Sequence, residues 1–199
     1  LPDGSVLTLN TDSHATVRYY RGRRTVELIA GEAYFEVTRR DGQAFEVDAG
    51  EARVMVTGTA FSVRREPDKV GVAVQTGSVD VRRGPWWRLW ASPTRLGANQ
   101  GASLAAGQWS SATAVDVDRL TTWRQGKLIF SNQRLAQVVE EMNRYLPQPI
   151  RVHDPALGAR RVSGIFNLDS ADDFQKAVQA TLPVIFEPRT DGGLDLLPR

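Results

Sequence analysis

Val26-Glu27-Leu28-Ile29 runs up to Gly31, and Ala33-Tyr34-Phe35-Glu36-Val37 follows it before the turn at Asp41-Gly42. Both segments place β-branched and aromatic residues on a two-residue period, the pattern of a strand with one buried face, and glycine reads as the turn between them. The pattern extends both ways. Upstream, Val6-Leu7-Thr8-Leu9 follows the turn Pro2-Asp3-Gly4-Ser5, and Thr16-Val17-Arg18-Tyr19-Tyr20 precedes Arg21-Gly22-Arg23. Downstream come Phe45-Glu46-Val47, Arg53-Val54-Met55-Val56, Phe61-Ser62-Val63-Arg64, Val70-Gly71-Val72-Ala73-Val74 and Val79-Asp80-Val81. A strand every ~8–12 residues with turn residues between predicts an all-β domain, either stacked antiparallel hairpins or a sandwich. Ala102-Ser103-Leu104-Ala105-Ala106-Gly107-Gln108 reads as one more strand and turn, closing this domain at residue 112.

After residue 112 the period changes. Lys127-Leu128-Ile129-Phe130 reads as a strand and Ser131-Asn132 as a helix N-cap. Leu135, Val138, Val139, Met142 and Leu146 then fall on one helical face, ended by Pro147-Gln148-Pro149. Ile150-Arg151-Val152 and Arg161-Val162-Ser163-Gly164-Ile165-Phe166 read as strands. Ser170 with Asp173 reads as a capping-box variant opening a second helix, with Phe174, Ala177, Val178 and Leu182 on its apolar face. Val184–Glu187 and Leu194–Leu197 flank Asp191-Gly192-Gly193 as a hairpin. The expected order is β-α-β-β-α-β-β, a small α+β module over 113–199 with both helices on one face of a small sheet. The expected architecture is therefore a mainly β domain over 1–112 followed by that module.

Composition narrows the chemistry. The 199 residues carry 25 Lys+Arg against 23 Asp+Glu, a formal charge of +2. Only Lys69, Lys127 and Lys176 are lysines. The arginines come in scattered pairs, as at Arg23-Arg24 and Arg82-Arg83, which argues against a nucleic-acid surface. No cysteine is present, so disulfides, thiolate catalysis and Cys-based metal sites are excluded. The two histidines, His14 and His153, lack a second histidine at ligand spacing, so no metal and no cofactor is expected. Thr57-Gly58-Thr59 and Thr76-Gly77-Ser78 precede strands rather than helices, unlike a phosphate loop. Glu32, Glu36 and Glu46 could pair as glycosidase carboxylates, but strand alternation more simply turns them outward. A binding or signalling role, not an enzyme, is the expectation. Trp86, Trp87 and Trp90 offer an alternative: a cell-envelope carbohydrate- or polymer-binding β domain.

Several blocks recur in a characteristic order: Leu1-Pro2-Asp3-Gly4-Ser5-Val6, Gly31-Glu32-Ala33-Tyr34-Phe35-Glu36-Val37, Val54-Met55-Val56-Thr57-Gly58-Thr59-Ala60-Phe61-Ser62-Val63 and Val74-Gln75-Thr76-Gly77-Ser78-Val79-Asp80-Val81. Further along come Trp123-Arg124-Gln125-Gly126-Lys127-Leu128-Ile129-Phe130, Asn143-Arg144-Tyr145 and Arg161-Val162-Ser163-Gly164-Ile165-Phe166. Together these blocks resemble the FecR family of iron-transport sigma-factor regulators. The tryptophan-rich segment 84–101 matches no block. The resemblance implies the soluble periplasmic region of a single-pass inner-membrane anti-sigma factor, with the membrane helix and sigma-binding segment outside this chain. It also implies that the C-terminal module is similar to the secretin/TonB short N-terminal (STN) domain. The implied partner is the signalling domain of an outer-membrane TonB-dependent siderophore transporter, with periplasmic and intramembrane proteases freeing the sigma factor afterwards.

Two surfaces are candidates for that partner. One is the hairpin, represented by Ile185, Glu187, Leu194 and Leu196, whose edge is expected to be open. The other is a helix face around Arg134, Glu141 and Arg144.

Overall fold

The alternating first half builds one sheet that bends along its longest strand. The computed structural model describes residues 1–20, 22–84, 92–168 and 170–199. Trp86, Trp87 and Trp90 lie outside the described residues. The chain forms two compact units, Leu1–Thr121 and Thr122–Arg199.

In the first unit the strands are β1 (Val6–Leu9), β2 (His14–Tyr20), β3 (Arg23–Glu36), β4 (Phe45–Ala49), β5 (Ala52–Val56) and β6 (Ala60–Arg65). They continue as β7 (Lys69–Thr76), β8 (Ser78–Arg83), β9 (Thr94–Gly97), β10 (Gln100–Ala105), β11 (Gln108–Trp109) and β12 (Thr113–Ala114), followed by the short helix α1 (Val117–Leu120). The strand order is β11-β10-β7-β6-β3-β4-β5-β8-β9, with β1 and β2 both on β3 and β12 on β10. β9 also lies against β7 and β10, so the path curls back on itself. Inside the curl sits a single apolar core. Phe35 and Phe61 are cross-strand partners with rings stacked 5.0 Å apart, and Phe45 meets Phe35 edge-on at 6.1 Å.

The structure departs from the expected turn at Gly31. β3 runs unbroken through it, pairing with β2 on its first half and β1 on its second. Gly31 has φ +85°, and a Cβ there would lie 2.6 Å from the Asp12 carbonyl oxygen. The glycine is a bend within a strand, where the backbone needs both a left-handed φ and room for the Asp12–Ser13 chain. Thr113-Ala114 pairs with Gly101 and Gln100, which carries the first unit past residue 112 to Thr121.

The second unit opens with a 3-10 turn at Thr122–Gln125. It comprises β13 (Lys127–Arg134), α2 (Leu135–Asn143), β14 (Ile150–Val152), α3 (Pro155–Gly158), β15 (Arg161–Asn167), α4 (Ala171–Thr181), β16 (Val184–Pro188) and β17 (Leu194–Pro198). Two sheets form instead of one: an antiparallel β13–β15 pair, and β14-β17-β16 with β14 parallel to β17. Each long helix touches both sheets, α2 through β13 and β14, α4 through β15 and β16. Both sheets bury only one face, so the two apolar helix stripes can serve both at once. Phe166 bridges the layers, with Phe130 at 5.8 Å and Phe174 at 5.1 Å.

The caps differ from expectation. Ser131-Asn132 does not cap α2: it forms a bulge in β13, with Asn132 at φ +51° and its N–H donating to Ser163 Oγ at 2.8 Å. Pairing with β15 extends β13 to Arg134, and Leu135 N–H donates instead to the Arg160 carbonyl at 2.7 Å. Ser170 occupies the N-cap of α4 but makes no side-chain cap bond. α3 follows Asp154, whose carboxylate accepts from Ala156 N–H at 2.8 Å, with Pro155 at the first helical position.

Candidate partner-binding surfaces

Strand alternation sorts the hairpin residues onto two faces. Ile185 pairs with Leu197 and Glu187 with Asp195 on the outward face of β16–β17. Ile185 is half-buried and Glu187 exposed. Leu194 and Leu196 point the other way and are 7% and 0% exposed, so they are core residues and not a contact surface. β17 is also the central strand of its sheet, with β14 on its far side, which leaves β16 as the hairpin's open edge. The outward face carries a charged group beyond Ile185. His153 Nε2 lies 3.0 Å from Asp195 Oδ1, Arg189 Nε lies 3.7 Å from Asp195, and Arg189 also pairs with Asp191.

The second expected surface divides. Glu141 and Arg144 come together as an i,i+3 ion pair at 2.7 Å, with the Arg144 guanidinium 5.7 Å from the Tyr145 ring. Arg134 is not on that helix face. It ends β13, directly opposite Arg161 of β15. The neighbouring Asn143 does what no spacing rule predicts. Its amide accepts from Ile150 N–H at 2.8 Å and donates to the Ile150 carbonyl at 2.7 Å, fastening the end of α2 to β14.

The first unit holds a buried ionic cluster that sequence reading did not pick out. Asp3 and Arg24 are 5% and 3% exposed and form an ion pair at 2.7 Å. Asp3 also accepts from Ser5 N–H (3.0 Å), Ser5 Oγ (2.7 Å) and the Tyr19 hydroxyl (2.8 Å). Arg24 donates to the Thr38 and Gln43 carbonyls at 2.9 and 2.5 Å and lies over the Phe45 ring. Burial alone raises the Asp3 pKa, but the hydrogen bonds from Ser5, Tyr19 and Arg24 together outweigh it and hold the carboxyl well below the usual range. Burial and the hydrogen bond to Asp3 push the Tyr19 hydroxyl upward. The cluster fastens the turn before β1 to β2, β3 and the chain after β3.

The carboxylates read as outward-facing divide too. Glu36 is exposed, but Glu32 is buried, accepting from Asn10 Nδ2 at 2.9 Å and Ser62 Oγ at 3.3 Å. That face of the sheet is covered: Tyr34 donates to Gln75, Gln75 donates to Asp118, and α1 lies against β7. Among the described residues no group of three or more His, Cys, Asp or Glu is arranged to hold a metal, and no helix is long and apolar enough to cross a membrane. The polar clusters of the first unit are closed inside it, and β16 of the second unit leaves an open strand edge.

No curated protein matches the sequence. Among solved structures, the chain is similar to a candidate anti-sigma factor from Parabacteroides distasonis. Its 1.65 Å crystal structure aligns with a TM-score of 0.81 and 26% identity, covering 100% of this chain and 92% of that one. A second crystal structure of a candidate anti-sigma factor from the same organism, at 2.50 Å, aligns with a TM-score of 0.76 and 27% identity over the same shares. Residues 1–80 match the family model described as FecR protein, the region that contains the Asp3–Arg24 cluster and the continuous β3.

Proposed function

We propose that this chain is the periplasmic signalling region of a transmembrane sigma-factor regulator. In this reading it binds the N-terminal signalling domain of an outer-membrane TonB-dependent siderophore transporter and relays iron-uptake status to a cytoplasmic sigma factor. The observation that carries the proposal is the likeness to a candidate anti-sigma factor over the whole chain, both units included. The FecR match over residues 1–80 supports it. The second unit, two helices serving two small sheets, is read as the STN-like module that receives the partner.

Relay by binding needs no catalytic group. A small partner domain can pack on the outward face of β16–β17 through Ile185 and Glu187, using main-chain pairing along the β16 edge for affinity. The Glu141–Arg144 pair offers a second contact. Titrating the full chain with an isolated transporter signalling domain tests the reading. Ile185→Asp, at a half-buried outward position, is expected to weaken binding by about tenfold, a loss of ~1.4 kcal/mol. Unchanged affinity removes the hairpin face from the proposal. Failure of every such domain to bind the folded chain removes the transporter.

A further inference from the structure

The geometry points to β15 as an acceptor strand for an extended, acidic segment of another protein. The β13–β15 sheet packs its inner face, Leu128, Phe130 and Phe166, toward α2 and α4. On its outer face Ile129 stands opposite Ile165. Ile165 is 66% exposed and is the one exposed large apolar side chain among the described residues of the second unit.

Among the described residues, charge on this face has one sign. Arg134 stands directly opposite Arg161, with exposed Arg160 beside them and exposed Lys127 at the other end of the sheet. β13 and β15 contain no Asp or Glu. None of these four cations pairs with a carboxylate among the described residues; Arg161 Nη1 donates to the Asn132 carbonyl at 2.7 Å. Like charges directly opposite on a sheet are destabilising, so an anion laid along this face relieves an existing repulsion. The same repulsion disfavours a second copy of this chain, which would bring a matching set of arginines.

The edge itself fits strand addition. β15 is seven residues long with strict exposed/half-buried alternation and no proline. Among the described residues its only strand partner is β13. Its competitors are weaker: β13 is broken by the bulge at Ser131-Asn132, β14 has three residues, and β16 ends in Glu187-Pro188. A strand added to β15 would use the unpaired N–H and C=O row, set an apolar residue against Ile165 and place carboxylates near Arg161 and Arg134. This surface lies on the other sheet from Ile185 and Glu187, and the inference stands apart from the identity of the partner proposed above.

The test uses the full chain labelled with nitrogen-15 and two synthetic probes. One is a nine-residue peptide with a Val/Thr centre and Asp/Glu ends; the other replaces each acid by lysine. The acidic peptide is expected to shift the amides of Arg161–Asn167 and to slow exchange at every second one. The lysine peptide is expected to bind at least about tenfold more weakly, and added salt to erode the difference. Ile165→Asp and Arg161→Glu, both at exposed positions, should each abolish the shifts while leaving the rest of the spectrum in place; Ile165→Val should keep them. Equal binding of the two peptides, shifts mapping away from β15, or no binding of the acidic peptide at ~1 mM would overturn the inference. So would a dimer in solution that Ile165→Asp dissociates, since that would make a second copy the occupant.

Discussion

Arg24 is a buried cation stacked over the Phe45 ring, and it is tolerated there because Asp3 and two carbonyls surround it. Asp3→Asn removes the countercharge and is expected to destabilise the first unit by about 3 kcal/mol, read from urea unfolding. Replacing both partners, Asp3→Asn with Arg24→Met, should cost less than the two single changes added together. The pH dependence follows from the directions of the shifts. The folded Asp3 carboxyl titrates below the unfolded value of ~3.9, so its contribution is present above that pH and is lost as pH falls toward the folded value. Tyr19 is raised, so its contribution is present below ~10 and is lost as pH rises beyond it. Stability measured between about pH 4 and 2 should therefore fall more steeply in the natural protein than in Asp3→Asn. An equal slope would show that Asp3 is not held as the structure indicates. In the sequence, Pro2-Asp3-Gly4-Ser5 is legible as a turn. Nothing in it says that Arg24, 21 residues on, reaches back to Asp3, because period and propensity are local and this contact is not.

Strand β3 carries the fold at the next scale, since β1, β2, β4 and β6 all pair with it. Its bend at Gly31 leaves no room for a side chain. Gly31→Ala should destabilise by about 1–3 kcal/mol, whereas Gly22→Ala, also at positive φ but with open space around it, should pay only the smaller backbone penalty. Thermal unfolding of the two variants distinguishes these. The alternation on either side of Gly31 was readable, but a strand-bending glycine and a turn glycine look alike until the partner strands are known. In the second unit, the apolar faces of both helices were readable from their 3.6-residue period, whereas two sheets could not be told from one. The hairpin shows the same limit at single-residue resolution. A period of two divides Ile185 and Glu187 from Leu194 and Leu196, but only the position of α2 and α4 says which set faces in. Leu196→Asp should accordingly unfold the second unit, with loss of its dispersed amide resonances, while Ile185→Asp should leave them intact.

Over the whole molecule, the change from a two-residue to a 3.6-residue period indicated that a mainly β region gives way to an α+β region, and the structure has that architecture. The absence of cysteine and the scattered arginine pairs narrowed the chemistry but named no partner, because a surface joins residues distant in sequence, as the β13–β15 pairing sets Arg134 opposite Arg161. A regulator that works by binding needs a partner with which it forms a defined complex. The most direct measurement is calorimetric titration of the full chain with isolated signalling domains of the TonB-dependent siderophore transporters of its own organism. One of them is expected to bind with one-to-one stoichiometry, and Ile185→Asp to weaken it about tenfold. A folded chain that binds none of them would rule out the transporter as its partner.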